Sequence, residues 1–491
     1  MSLPDVLYSA AQVRAFEARI IAAGTPGFTL MTRAATAALR VLQGQWPSAA
    51  RVVVVCGGGN NGGDGYVLAQ LAQRAGLQVT VLAASDPLAL AADARRAWQL
   101  AVDAGVPVRG FDGSALTAAD VVVDALLGSG TRLPLRPATA AQLQAINAAA
   151  RPVLALDLPS GLDADSGNAD GVVQATVTVC FVALKTGLAL GQGPGCAGRL
   201  VVDDLGVQID AQPARLRRLV AADLYAAVPA RPRQAHKGQF GSVLVIGGGA
   251  GMPGAVRLAA ESALRVGAGR VTVASLPAHL APVVGARPEL MFHAVTVADD
   301  LAPVLAQADV VAVGPGLGTS AWGQAVLQAV LAAPPPPGGL VVDADALNLL
   351  AVAQVPLHRD DWILTPHPGE AARLLGCDTA TVQADRLAAV DRLRQQRGGV
   401  VVLKGAGTLV AVPGEVTTLC GRGNPGMAIP GMGDVLTGAV AGLLAQCRQR
   451  SVAARAAVLA HALAGDRAAA GGQRGLLAGD IAALLPSVVN R

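Results

Sequence analysis

Arg51-Val-Val-Val-Val-Cys56-Gly-Gly-Gly-Asn60-Asn61-Gly62-Gly63-Asp64-Gly65 decides the fold of the first half of this chain. An unbroken β-branched run reads as a strand buried on both faces, which is the habit of a parallel sheet. The loop expected over Gly57–Gly65 then leads into a helix reaching Ala75, the order in which a backbone-lined anion site is built. Outward from this unit the same alternation repeats. Upstream, Ser9 caps a helix carrying Val13, Phe16 and Ile20 on one face, and a second helix is expected over Phe28–Leu42. Downstream, strands are expected at Gln78–Leu82, Val121–Asp124, Val153–Leu158, Val177–Phe181 and Leu200–Val202, with helices near Ala91–Ala104 and Ala138–Ala150. Strands alternating with helices imply a doubly wound α/β sheet.

A second series begins after the Arg- and Pro-containing stretch Gln212–Pro232. Its strands are expected at Gly241–Ile246, Arg270–Ala274, Val310–Val313, Leu340–Asp343, Trp362–Leu364 and Val400–Leu403. Its helices are expected at Ala255–Val266, Ala321–Leu331, Thr381–Gln396, Gly433–Gln446 and Val452–Ala469. The expected architecture is therefore two α/β domains, 1–215 and 216–491.

Composition narrows the function. Of 491 residues 52% are hydrophobic and only 3% aromatic, mostly Ala, Val and Leu, which suits helices on buried strands; 15% charged residues argue against disorder. A net charge of +4, with no basic run, gives no sign of nucleic-acid binding. The longest uncharged stretch, Val310–Val342, holds Pro315 and Pro334–Pro337, so it is no membrane helix. Six scattered cysteines without a C-x-x-C pair fit a reducing cytosol, and no signal peptide is expected, so the protein reads as cytoplasmic. Among 38 basic residues only Lys185, Lys237 and Lys404 are lysine. Where a chain otherwise chooses Arg, a surviving Lys points to a place that needs a compact ammonium.

In open α/β sheets, ligands bind where strands end. Three such loops in the first half are rich in oxygen donors: Asn60–Gly65, Asp124-Ala-Leu-Leu-Gly128-Ser129-Gly130-Thr131-Arg132-Leu133-Pro134, and Asp157-Leu-Pro159-Ser160-Gly161. Each alone has a bland reading as a cap or turn; together they point to one pocket able to hold a hard cation, with Asp157 as a proton-transfer base. In the second half, Gly247-Gly-Gly249 and Gly314-Pro-Gly316-Leu-Gly318 read as rigid backbone turns. Two prolines pin His367 in Thr365–Glu370. Lys404-Gly405-Ala406-Gly407-Thr408 suits phosphate but is no P-loop. Gly423–Gly438 leads glycines into a long helix with Asp434 in its first turn, an arrangement that holds a phosphoryl group and deprotonates the attacking hydroxyl.

The Gly431–Asp434 string resembles the anion hole and base of ribokinase-like kinases. With Lys404–Thr408, Thr365–Glu370 and His236–Gly241 it resembles their ADP/ATP-dependent NAD(P)H-hydrate dehydratase branch. The first half, through Asn60–Gly65, Asp124–Pro134, Asp157–Gly161 and Lys185–Gly187, is similar to NAD(P)H-hydrate epimerases. The resemblance implies an N-terminal Rossmann-like three-layer sandwich and a C-terminal ribokinase-like domain. It implies that Asn60, Asn61, Gly62, Gly63, Asp64, the loop Gly128–Pro134 and Asp157 bind NADHX or NADPHX, the hydrated nucleotides, and that Asn61, Asp124 and Ser160 bind K⁺. In the second half it implies Ala255, Gly318, His367 and Asp434 as hydrate contacts. Lys404, Gly405, Ala406, Gly407, Thr408 and Gly433 would contact ADP or ATP, with Mg²⁺ screening the phosphates. A homo-oligomer is also implied. Ile429-Pro430 departs from the family's usual Thr-Gly, leaving Gly431 and Gly433 intact. Lys185 and Lys237 are expected as phosphate or loop contacts. Two alternatives stay open: a ribokinase-like kinase for another small molecule, and a non-catalytic first half.

Overall fold

The computed structural model describes residues 3–209, 213–353 and 357–490. The chain divides into two compact units, Met1–Leu216 and Arg217–Arg491. Among the described residues no helix is long and apolar enough to cross a membrane.

The first unit opens with a two-residue strand β1 (Val6–Leu7) and a helix, Ala10–Ala22, capped by Ser9 in a reciprocal pair with Gln12. A helix Gly27–Gln45 follows. Then come β2 (Arg51–Cys56), β3 (Gln78–Ala83), β4 (Val108–Gly110), β5 (Val121–Ala125), β6 (Val153–Leu156), β7 (Val177–Phe181) and β8 (Arg199–Asp203). They form one parallel sheet in the order β4-β3-β2-β5-β6-β7-β8. This is the doubly wound order, reversing direction between β2 and β5, so the ligand crevice belongs above those two strands. The valines of β2 alternate: Val52 and Val54 pack into one apolar cluster and Val53 and Val55 into another, one on each face. That is why the strand reads as a continuous apolar run. The short edge strand β4 carries too little apolar pattern to be seen in the sequence. The helix expected after Gly65 starts earlier, at Asn60. Its first glycines are a packing requirement: a Cβ on Gly62 would lie 2.0 Å from the Gly57 carbonyl oxygen.

The second unit contains β9 (Leu216–Arg218), β10 (Ser242–Ile246), β11 (Arg270–Ser275), β12 (Met291–Ala294), β13 (Val310–Val313), β14 (Gly339–Val342), β15 (Trp362–Leu364), β16 (Val400–Leu403), β17 (Thr408–Ala411) and β18 (Thr418–Cys420). Its sheet order is β9-β18-β17-β16-β15-β14-β13-β10-β11-β12. Parallel pairing runs from β16 to β12, and β17 pairs antiparallel with both β16 and β18. That hairpin was not legible, because its connections sit inside loops read only for their glycines. The single helix expected over Thr381–Gln396 is two, Thr379–Ala384 and Arg386–Arg397, broken where Asp385 caps the second.

The helix Met432–Cys447 lies on the helix Pro253–Arg265 at nearly backbone-to-backbone distance. A Cβ on Gly438 would stand 1.9 Å from the Ala259 carbonyl oxygen, and one on Gly442 2.6 Å from that of Ala263. This contact fixes the start of the long helix, and with it Asp434, against the sheet. Gly438→Ala is expected to push the helices apart and destabilise the unit by about 2–3 kcal/mol, a common penalty for overpacking. A thermal melt falling by less than a couple of degrees would contradict the contact.

Candidate active sites

In the first unit the three oxygen-rich loops meet above β2, β5 and β6. Asp124, at the end of β5, is fully buried. Its carboxylate accepts from the Ser160 amide (2.8 Å), the Ser160 hydroxyl (2.6 Å) and the Leu126 amide (3.2 Å). Burial raises its pKa to about 6 against those hydrogen bonds. Ser160 Oγ in turn accepts from the Leu127 amide (2.7 Å), so Ser160 ties the second loop to the third. Asn61 donates from Nδ2 to the Leu127 carbonyl (2.8 Å), while its Oδ1 is buried without a hydrogen-bond partner. A buried acceptor with no donor is what a cation would satisfy. Thr131 folds the Gly128–Pro134 loop by bonding the Gly128 carbonyl through amide and hydroxyl, leaving Gly130 and Arg132 exposed.

Asp157 follows β6 with φ 65°, and Val182 follows β7 with φ 65°. Each sits at the centre of a turn closed by an i to i+2 hydrogen bond, Leu158 amide to Leu156 carbonyl and Ala183 amide to Phe181 carbonyl. Such γ-turns are rare and strained, and a β-branched residue in this region is a true outlier. Strain of this kind clusters at functional sites. Between the two turns lies Lys185, 1% exposed. Its ammonium pairs with the Asp157 carboxylate and donates to the Phe181 carbonyl at 2.8 Å. Burial alone would lower the Lys185 pKa; the charge and hydrogen bond of Asp157, together with the Cys180 and Glu17 charges, more than reverse it. Of the phosphate or loop contact expected at Lys185, the structure shows the loop contact, to the Phe181 carbonyl, and adds the pair with Asp157. Burial, then the charges of Asp157 and Glu17, push Asp64 well above the usual carboxylate range. Glu17 itself is raised by burial. Its position on the first helix carries no motif, and sequence reasoning missed it.

In the second unit, Asp343 at the end of β14 is 1% exposed. It accepts from Lys404 Nζ (2.6 Å) and from the Thr437 hydroxyl (2.7 Å). Lys404 Nζ also lies 3.8 Å from Glu370. A Cβ on Gly433 would come within 3.2 Å of Lys404 Nζ, so the glycine lets the backbone of the long helix settle over this pair. Asp434, in the first turn, is raised to about 7 by burial and by the Asp343 charge, against Lys404. Neither Asp343 nor Arg386 was singled out in the sequence. Arg386, 7% exposed, clasps the carbonyls of Leu403, Lys404 and Gly407 at 3.3, 3.1 and 3.4 Å and shapes the Lys404–Thr408 loop.

His367 caps the helix Pro368–Leu375, its Nδ1 accepting from the Gly369 and Glu370 amides (3.0 and 3.3 Å). That requires a neutral ring, in line with a pKa lowered by burial and by Lys404. The glycine turns interlock, Gly248 amide to Pro315 carbonyl at 3.0 Å and Gly249 to Gly316 at 2.5 Å. Ala255 packs beside Gly316, and the Gly318 amide donates to Asp345 (2.8 Å). His236–Gly241 instead precedes β10, at the opposite end of the strand from these loops, and exposed Lys237 stands there with it.

The whole chain is similar to a set of known proteins. The chain is 47% identical over 490 residues to the bifunctional NAD(P)H-hydrate repair enzyme Nnr of Coxiella burnetii, covering 99% of both. This chain belongs to the bifunctional NAD(P)H-hydrate repair enzyme family. The family member from Escherichia coli is 42% identical, covering 100% of this chain and 95% of that protein. Within the repair-enzyme frame, residues 27–187 match the family described as YjeF-related protein N-terminus and residues 243–487 the family described as NAD(P)H-hydrate dehydratase. A ribokinase-like superfamily protein from Enterococcus faecalis matches in structure with TM-score 0.52 and 31% identity, over 57% of this chain and 98% of that one.

Proposed function

We propose that residues 1–215 interconvert the R and S epimers of hydrated NAD(P)H, and that residues 216–491 dehydrate the S epimer to NAD(P)H, consuming ADP or ATP and releasing phosphate. The observation that carries this reading is Asp434, held in the first turn of a glycine-led helix beside the buried Lys404–Asp343 pair with a pKa of about 7. A carboxylate tuned to neutrality at a helix N-terminus is equipped to take a hydroxyl proton as phosphoryl transfer begins.

The hydroxyl at C6 of the hydrated ring is a poor leaving group. Asp434 removes its proton as its oxygen attacks the terminal phosphorus, and amides at Gly431 and Gly433 hold the transferred group. The ring nitrogen then expels phosphate and C5 loses a proton, restoring the double bond of NAD(P)H. Lys404 and the Lys404–Thr408 loop face the nucleotide; Ala255, Gly318 and His367 face the hydrate. Mg²⁺ bound with the nucleotide would supply positive charge to its phosphates.

In the first unit Asp157, paired with Lys185, takes the proton of the C6 hydroxyl. The C6–N1 bond opens to an aldehyde, and the nitrogen receives a proton from Asp64, whose environment favours the protonated form. Closure on the other face gives the other epimer. Asp64, raised by burial, serves as the acid, and Asp157, paired with the Lys185 ammonium, as the base. The hydrate lies along Asn60–Asp64 and Gly128–Pro134. Asn61, whose Oδ1 has no hydrogen-bond partner, Asp124 and Ser160 would hold K⁺, with Ser160 fixing the Asp124 carboxylate. Six free cysteines support a cytoplasmic location, and family resemblance supports a homo-oligomer.

The test is an epimeric NADHX mixture incubated with enzyme, Mg²⁺, K⁺ and either nucleotide. Recovery of all the NADH from both epimers supports both activities; a stable phosphorylated product with no NADH would replace them with an ordinary kinase. Arg386→Leu is expected to raise KM for the nucleotide about tenfold, since it frees three carbonyls of the nucleotide loop from a charged donor. An unchanged KM would remove Arg386 from this account.

A further inference from the structure

A cavity of about 500 Å³ opens beside the epimerase site, lined by Ala84, Ser85, Trp98, Val102, Val108 and Arg109. Nothing in the chemistry at C6 uses it. It lies at the ends of β3 and β4, on the far side of β2 from Asp157. The two regions are contiguous, because a Cβ on Gly58 would stand 3.1 Å from Ser85 Oγ.

We propose that this cavity is a subsite for the adenosine half of the hydrated dinucleotide, an inference that rests on the epimerase reading. Strand spacing sets the scale. Asp157 follows β6, and β3 lies three strands away, about 14 Å at the usual spacing of ~4.8 Å. That is the stretch an extended dinucleotide needs between its two rings. Midway stands β2, followed by a 15-residue helix whose first turn has no side-chain cap, where a pyrophosphate finds amide donors. In doubly wound sheets of this strand order a dinucleotide lies across the reversal point, its adenosine over the strand next to the first. The cavity supplies what an adenosine requires. Trp98 is an indole wall, partly exposed, and Arg109 has a side chain 46% exposed and only a loose 3.9 Å contact to Asp112. A guanidinium at this place accepts the 2′-phosphate of NADPHX as well as the plain ribose of NADHX.

The experiment compares epimerisation of NADHX, NADPHX and the truncated hydrated nicotinamide mononucleotide by full-length enzyme, with epimers separated by chromatography. Trp98→Ala is expected to raise KM for NADHX about tenfold at unchanged kcat, the loss of one base stack. The mononucleotide hydrate should be unaffected and Trp98→Phe should restore KM. Arg109→Ala is expected to raise KM for NADPHX several-fold more than for NADHX. Wild-type rates of mononucleotide epimerisation by each variant check that the first unit is folded. Equal effects on dinucleotide and mononucleotide, or none on either, would overturn the subsite. Wild-type enzyme that epimerises nothing would overturn the epimerase reading beneath it.

Discussion

Asp434→Asn is expected to abolish the return of NADH from both epimers, lowering kcat about a thousandfold with KM for the nucleotide little changed, because a positioned base contributes ~10²–10⁴ in rate. The wild-type rate should carry the signature of the same group. A carboxyl with pKa about 7 is protonated and idle in acid, so kcat rises as pH increases through 7 and levels off above it. Stability moves in the opposite sense. A folded pKa raised above the unfolded value gives a contribution fully present below about pH 4 and lost as pH rises through 7. The variant lacks that loss and is expected to be more stable than wild type at pH 8, by up to about 4 kcal/mol. An Asn variant that is inactive and also less stable at pH 8 would mean that Asp434 supports the fold rather than the chemistry.

The second large effect is expected at Lys185. With Asp157 it forms a buried pair, and Lys185→Met leaves that carboxylate beside Glu17 and Asp64 without its counter-charge. Breaking a buried pair from one side costs about 3–5 kcal/mol. Epimerisation should stop, so that NADH recovery from a mixture halts at the share of the S epimer, while isolated S-NADHX is still dehydrated at the wild-type rate. Asp157→Asn combined with Lys185→Met should regain most of the stability and none of the epimerisation. If the double variant is no more stable than the single, the two residues are not coupled as described.

What was legible in the sequence was what the backbone repeats. Valine runs at Arg51–Cys56 and Val400–Leu403 became strands with those bounds, because burial on both faces leaves no room for polar residues. The exposed edge strand β4 lacks that constraint, and the buried β17–β18 hairpin is made of strands of only four and three residues set inside loops read for their glycines, so neither was visible. In the sites, Asp124, Asp157, Ser160 and Asp434 stood out because each sits in a glycine-containing loop or helix start. Glu17, Asp343 and Arg386 did not, being held in place only by tertiary contacts: Asp343 is recognised by what reaches it from Lys404 and Thr437, both distant in sequence. The scarcity of lysine pointed to places that need a compact ammonium, and two of the three lysines stand at such places. Lys185 and Lys404 do lie in the two sites, but each ammonium is committed to an aspartate within them.

That commitment has a practical side. Lys185 is buried and Lys404 is half-buried in its ion pair, while Lys237 alone of the three lysines stands exposed, away from the Lys404–Asp434 loops. Amine-reactive coupling at mild pH would therefore fasten this chain to a resin or a dye through Lys237 or its terminal amine. The ion-paired ammonium groups of Lys185 and Lys404 would stay untouched, giving an immobilised catalyst for regenerating reduced nicotinamide cofactors without any engineered tag.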